Sequence, residues 1–395
     1  MLTWILLAAA GLGADWPQFR GPEARGASAE TGLPLTVSEA ENVAWKAALP
    51  GPGPASPIVV DGLVMVTAAS GPRQERLHVL AFDAATGHAR WQRTIWATGP
   101  TVCASFGGVA ASTPVSDGHR VYALFSSNDL LCFDLDGNLK WLRGLSLESP
   151  LTRNDLGMAS SPLVAGDTVV VQLASPGESF AAGLDAQTGR TRWKRPLEND
   201  ACWTTPVLWK GRQGEDDAVV LQTESGLAGL EPSTGQELWT HAAHCSTISS
   251  ATPAGDWLFV PAEGLTALKR AAEGAGLEPV WKESRLRMEN VSPVVEGGRV
   301  YVIKSPGILV AGDTATGRVL WQLRLKGPIW ATPAVADGHL YTISHAGLVQ
   351  VVRLGAERGE VVTSAQIDGD ALASPAIAGG AVYFRTRTSL WKIAK

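Results

Sequence analysis

Asp83-Ala84-Ala85-Thr86-Gly87-His88-Ala89-Arg90-Trp91 and Asp313-Thr314-Ala315-Thr316-Gly317-Arg318-Val319-Leu320-Trp321 are one phrase written twice. Upstream of each stands a second shared phrase, Ser56-Pro57-Ile58-Val59-Val60-Asp61-Gly62-Leu63-Val64-Met65-Val66 in one copy and Ser292-Pro293-Val294-Val295-Glu296-Gly297-Gly298-Arg299-Val300-Tyr301-Val302 in the other. The leading proline recurs as Pro57, Pro114, Pro162, Pro206, Pro253, Pro293, Pro333 and Pro375. The mean spacing is about 45 residues, the length of one four-stranded unit in a radially repeated sheet protein. Eight prolines predict eight such units.

Each unit reads as short strands joined by tight turns. Val121, Ala123 and Phe125 alternate as half-buried strand residues do, and Asp117-Gly118, Gly166-Asp167 and Asp337-Gly338 supply the positive-φ residues of hairpins. Thr86-Gly87, Thr188-Gly189, Thr234-Gly235 and Thr316-Gly317 mark a second turn. The tryptophan beyond it falls on the outermost strand, where its ring packs between neighbouring units. Trp91, Trp141, Trp193, Trp239, Trp281 and Trp321 take this role. The seventh unit keeps Arg358-Gly359 but has no following tryptophan, which leaves Val361 or Val362 as smaller substitutes.

The chain ends argue for a closed ring. Trp281, Trp321 and the orphan Trp45 each precede a leading proline by 12 positions, yet no unit comes before Trp45. The last unit runs to Leu390-Trp391-Lys392-Ile393 and stops where its outer strand should begin. Asn42 to Lys46 fills that gap, which removes both sheet edges. The expected fold is all-β: an eight-bladed β-propeller of four-stranded antiparallel blades, closed by the N-terminal strand joining the last blade. Residues 42–395 form this single domain, 15–41 an extended leader, and 1–14 a signal peptide. The last expectation rests on the apolar run Met1 to Ala14, too short to span a bilayer.

Composition fits a large apolar core with many turns: 395 residues, 45% of them hydrophobic, with 43 Gly and 24 Pro. A net charge of −5 without basic runs excludes an electrostatic case for nucleic acid or anionic membrane. Cys103, Cys132, Cys202 and Cys245 form no Cys-x-x-Cys pair, so zinc-ribbon and thioredoxin-like chemistry lack support, and their connectivity stays open. Asp134-Leu135-Asp136-Gly137-Asn138 lacks the Glu of a calcium loop and reads as turn chemistry. His241 and His244 are spaced for one face of a helix, but their stretch joins two blades. Serine-hydrolase elbows, phosphate loops and zincin helices are absent from the sequence.

The Asp-x-x-Thr-Gly-x-x-x-Trp units resemble those of the PQQ-like, or quinoprotein-type, β-propeller family. The leader Asp15-Trp16-Pro17-Gln18-Phe19-Arg20-Gly21-Pro22, with Glu41 to Lys46, is similar to that of a BamB-like branch of exported bacterial proteins. This resemblance implies one of two functions. Quinoprotein dehydrogenases hold pyrroloquinoline quinone beside calcium in the propeller funnel, with an Asp base and a disulfide between adjacent cysteines. BamB-like scaffolds carry no cofactor and bind partner proteins through loops at one end. The chain has no vicinal cysteine pair and none of the long insertions that roof the quinone. The expectation is therefore a periplasmic or otherwise extracytoplasmic, soluble scaffold with no cofactor and no catalytic or metal-binding residues, binding envelope or outer-membrane proteins. The alternative is a pyrroloquinoline-quinone-dependent oxidoreductase of alcohols or sugars, with calcium.

Residues just before the leading prolines lie near the central channel on this scheme. Arg153, Asn154, Asp155, Met158, Trp203, His244, Asn290 and Trp330 are the candidates at that rim. Trp203 and Trp330 each stand three residues before a proline, Pro206 and Pro333, and are the candidates for stacking a planar cofactor, with Arg153 and Asp155 beside them.

Overall fold

A computed structural model describes residues 15–38, 41–212, 216–271 and 276–395. The expected signal segment, 1–14, lies outside the described residues. Among those described, the strands form eight four-stranded antiparallel sheets. Blade 1 is Ile58–Val60, Leu63–Ser70, Arg76–Asp83 and Ala89–Trp96, counted from the channel outward. Blades 2 to 7 repeat this order over 115–144, 163–196, 207–242, 252–283, 294–324 and 334–366. Inner strands are short and mostly apolar, as in Ala334–Ala336, because both their faces are largely covered.

Blade 8 closes as the chain ends require. Ala376–Ala378, Ala381–Arg385 and Ser389–Ala394 supply three strands, and Val43–Ala48 supplies the fourth. The register pairs Trp45 with Lys392, Lys46 with Trp391 and Ala47 with Leu390. Joining first and last strands in one sheet leaves no unpaired edge at the seam.

The tryptophans dock as expected, and the turn glycine explains how. Trp91 Nε1 donates to Leu135 O at 2.7 Å, Trp193 to Pro232 O at 2.9 Å and Trp281 to Thr314 O at 2.9 Å, each a turn carbonyl of the next blade. Gly137, Gly235 and Gly317 lie flat on these same rings, where a Cβ would come within 2.6 Å or less of an aromatic carbon. Their φ values of 69–80° add a second reason for glycine.

A second circuit runs round the channel. Ser56 N–H donates to Thr113 Oγ1, Thr113 to Ser161, Ser161 to Thr205, Thr205 to Ser250, Ser250 to Ser292, Ser292 to Thr332, Thr332 to Ser374, and Ser374 back to Ser56, all at 2.9–3.1 Å. The hydroxyl residue preceding the proline is thus what ties neighbouring blades together at the axis. One proline assignment is corrected by this circuit. In blade 5 the ring residue is Ser250, so Ala251 occupies the proline position and Pro253 sits inside the strand Thr252–Ala254. The tryptophan gap in blade 7 is corrected too. Val351 pairs with Thr363 across the bulge, as Ala81 pairs with Trp91, so Thr363 stands in the tryptophan position, not Val361 or Val362.

Antiparallel alternation gives the ring two unlike ends. One carries the Asp-Gly and Thr-Gly turns; the other carries the connections between blades. The leader fills the channel from the turn end. Trp16 exchanges both backbone bonds with Val59, and Pro17 O, Arg25 O and Gly26 O accept from Ser116, Val295 and Val335 N–H. These donors are the channel-facing edges of inner strands, so the leader satisfies groups that a hollow axis would leave to water. Leu33 and Val37 then pack between blades 7 and 8, where Thr363 Oγ1 donates to Leu35 O.

Candidate functional site

With the turn end plugged, the loops between blades form the surface on which sequence places its candidates. The 97–114, 145–162, 197–206 and 243–251 loops are knitted together. Ala104 N–H donates to Leu156 O at 3.1 Å, Met158 N–H to Ser126 Oγ at 2.6 Å, and Trp203 N–H to Thr247 O at 2.7 Å. Trp203 Nε1 donates to Gly157 O at 2.7 Å, so its ring clamps the neighbouring loop. Gly157, at φ 95°, lets that loop approach Cys103, whose Cβ would lie 3.1 Å from a side chain there.

Arg153 and Asp155 line one small cleft, whose wall also includes Asn128, Thr152 and Asn154. Asn128 Nδ2 donates to Thr152 O at 2.7 Å, while Asn128 Oδ1, Thr152 Oγ1 and Asn154 Nδ2 are buried without a protein partner. Trp330 lies apart from this cleft. His345 lies parallel to its ring at 6.1 Å, and Phe106, from a loop three blade boundaries away, meets it edge-on at 5.3 Å. Met158 is buried, Asn290 is half-buried in the 284–293 loop, and exposed His244 pairs with Glu224 at 3.7 Å.

Calcium takes six to eight oxygen ligands, and a quinone needs a free aromatic face beside them. Among the described residues no three His, Cys, Asp or Glu side chains converge as metal ligands. Trp203 and Trp330 belong to different loop clusters, and the latter has its ring against His345 and Phe106. The residues present do not build a quinone slot. All four cysteines are free thiols, and burial pushes Cys132 and Cys245 up to about 12, which keeps them protonated.

Sequence reasoning missed the apolar side chains of the loop end. Of the ten exposed large hydrophobics among the described residues, Val102, Phe106, Leu147, Leu151, Leu156, Ile248 and Trp330 lie on the loops between blades. Leu147 and Leu151 are 68% and 65% exposed. These seven side chains share one end of the ring, spread over four of the connections between blades. The available signal was the apolar content of loops that turn chemistry alone would make polar.

The family model described as "Outer membrane protein assembly factor BamB" matches residues 27–200, 152–256 and 225–360. A protein of that name from Shewanella oneidensis is 26% identical over 230 residues, covering 53% of this chain and 55% of the relative. The chain spans about half the length of the curated relatives it matches. Among solved structures, BamB from Moraxella catarrhalis superimposes with a TM-score of 0.65 at 16% identity, over 89% of this chain and 97% of that one. A quinohemoprotein alcohol dehydrogenase from Comamonas testosteroni gives 0.71 at 13% identity, over 96% and 81%. At such identities both likenesses concern the fold alone.

Proposed function

The chain belongs to the BamB family of outer membrane protein assembly factors, and from that premise we propose that it is an exported, non-catalytic scaffold that binds envelope proteins through its loop end. The observation that carries this reading is the concentration of exposed apolar side chains on the interblade loops, from Val102 round to Trp330. Those loops are held by backbone bonds to one another, so the surface is preorganised and loses little entropy on docking. Polar side chains stand beside them in the chain, exposed Arg153 and Asp155 lying between Leu151 and Leu156. Apolar side chains interspersed with polar ones suit a protein interface. No helix among the described residues is long and apolar enough to cross a membrane.

The test is capture of the host's outer-membrane assembly β-barrel protein by the purified chain. Leu151→Asp with Leu156→Asp is expected to weaken capture by about tenfold or more, since buried apolar anchors dominate such interfaces. Leu139→Asp, on the side of the ring, should leave it unchanged. Equal capture by all three proteins overturns the reading. Adding pyrroloquinoline quinone with calcium and following dye reduction with alcohols or sugars checks the other branch of the superfamily; stoichiometric binding with turnover would replace the scaffold by an oxidoreductase.

A further inference from the structure

Phe106 and Trp330 meet over the loop end of the ring. Trp330 stands two residues before Thr332 of the hydroxyl circuit, so it rises beside the axis. Phe106 belongs to the 97–114 connection between blades 1 and 2. It lies beside Gly53, Pro54, Leu372 and Ala373, which belong to the two connections passed on the way to Trp330. Pro54 and Ala373 likewise stand within two residues of Ser56 and Ser374 in the circuit. The 97–114 loop is therefore a strap laid over the channel mouth, at the end opposite the leader.

The strap has two firm feet. Thr98 N–H and Oγ1 both donate to Asp129, at 3.0 and 2.6 Å, and that carboxylate is fully buried. At the other foot Val109 N–H donates to Gln74 Oε1 at 3.0 Å, while Val109 O accepts from Ser126 N–H at 2.8 Å. The tip between them is held by little. Among the described residues its ties are the Ala104 N–H to Leu156 O bond, a long bond from Gln74 Nε2 to Cys103 Sγ at 3.7 Å, and the Phe106 ring. Gly107-Gly108 sits between that ring and the second foot, a pair suited to a hinge. Trp330 is fixed by contrast. Ile329 and Ala331 on either side of it are buried, and His345, parallel to its ring, is pinned by backbone bonds to Pro328 O and from Ala371 N–H, both at 2.9 Å.

The ring contact is edge-on at 5.3 Å, and it leaves Phe106 49% and Trp330 37% exposed. A pair of this kind shifts an equilibrium by only about two- to tenfold. That holds the tip down, yet a competing ring can displace it. We propose that Trp330 and His345 form the seat for one aromatic side chain of a docked protein, and that Phe106 is the internal ligand that occupies the seat and keeps the strap closed until then. The chain's own phenyl ring shows which chemistry the seat accepts. Aromatic anchors are also prominent among the residues that dominate protein interfaces. Because Phe106 must leave first, the apparent affinity for an incoming ring is lowered by the fraction of strap that is closed. The source of that ring rests on the partner-binding reading above; the seat and the latch do not.

The experiment uses the purified full-length chain labelled with 5-fluorotryptophan, with the Trp330 fluorine resonance assigned by its loss in Trp330→Phe. N-acetylphenylalaninamide is titrated against N-acetylleucinamide as the apolar control. A saturable shift of the Trp330 resonance by the aromatic probe alone is expected. In Phe106→Ala, an exposed change compatible with folding, the half-saturating concentration should fall by about two- to tenfold, because the internal competitor is gone. The probe should also speed amide hydrogen exchange over residues 100–107 of the wild type, since it lifts the strap. No shift of the Trp330 resonance in either protein, equal half-saturation in both, or an equal response to the leucine control overturns the proposal. Capture of the assembly barrel protein then separates this proposal from the docking reading. Phe106→Ala should capture it about two- to tenfold more tightly, and equal or weaker capture overturns the latch. If the probe binds while wild-type capture fails, the docking reading falls and the seat stands; if capture succeeds while the probe leaves Trp330 unmoved, the seat falls and the docking reading stands.

Discussion

Asp313 Oδ1 accepts from Thr316 N–H at 2.8 Å and Thr316 Oγ1 at 2.7 Å, and Gly317 then turns the chain onto the Trp281 ring. The turn is built from residues within five positions of one another, so it is legible from sequence, and so is the glycine. What a residue-by-residue reading cannot supply is the bulge that shifts register in the outer hairpin of each regular blade. In blade 7 the residue four past Gly359 is Thr363, and the shift between Val351 and Val352 delivers it to the docking position. The docking tryptophans are 7–8% exposed at Trp193 and Trp321. Trp193→Ala or Trp321→Ala should therefore destabilise the protein by about 3–5 kcal/mol, read as a lower denaturant midpoint. Unchanged midpoints for both would remove the docking role.

Strand-scale cohesion depends on the hydroxyl circuit. Each blade's backbone N–H at the axis has one acceptor, a Ser or Thr hydroxyl of the next blade, and water is excluded there. Thr205→Val should cost about 1–3 kcal/mol, because Ser161 N–H loses its partner in a buried place; Thr205→Ser should recover most of it. A Val variant with the wild-type denaturation curve would sink the circuit as a source of stability. The Ser/Thr-Pro signature was visible in the sequence, but its reason was not, since the bond joins residues 40 to 57 positions apart, and from the last blade to the first it spans 318. Pro253 misled for the same cause: sequence position marks a proline, while only the circuit marks the equivalent residue. Within a blade the contacts are local: Trp239 meets Trp209 edge-on at 6.0 Å and Trp321 meets Tyr301 at 6.1 Å.

For the whole molecule, the N-terminal segment does two jobs, completing blade 8 with Val43–Ala48 and plugging the channel with Trp16 to Ser28. A chain lacking residues 15–48 should melt at a clearly lower temperature and associate as concentration rises, because Ser389–Ala394 becomes a bare edge. Light scattering and a thermal melt check this; a truncated chain as stable and dispersed as the full one would contradict it. The repeat, the blade count and the closing strand were all determined by sequence alone, since period, turn chemistry and the displaced Trp45 are local marks copied along the chain. Only the tertiary structure decided that the leader occupies the axis, that Trp203 is a clamp, and that Trp330 meets Phe106. Those facts arise from residues brought together across the ring by its closure, and no periodicity along the chain encodes which loops meet over a shared axis.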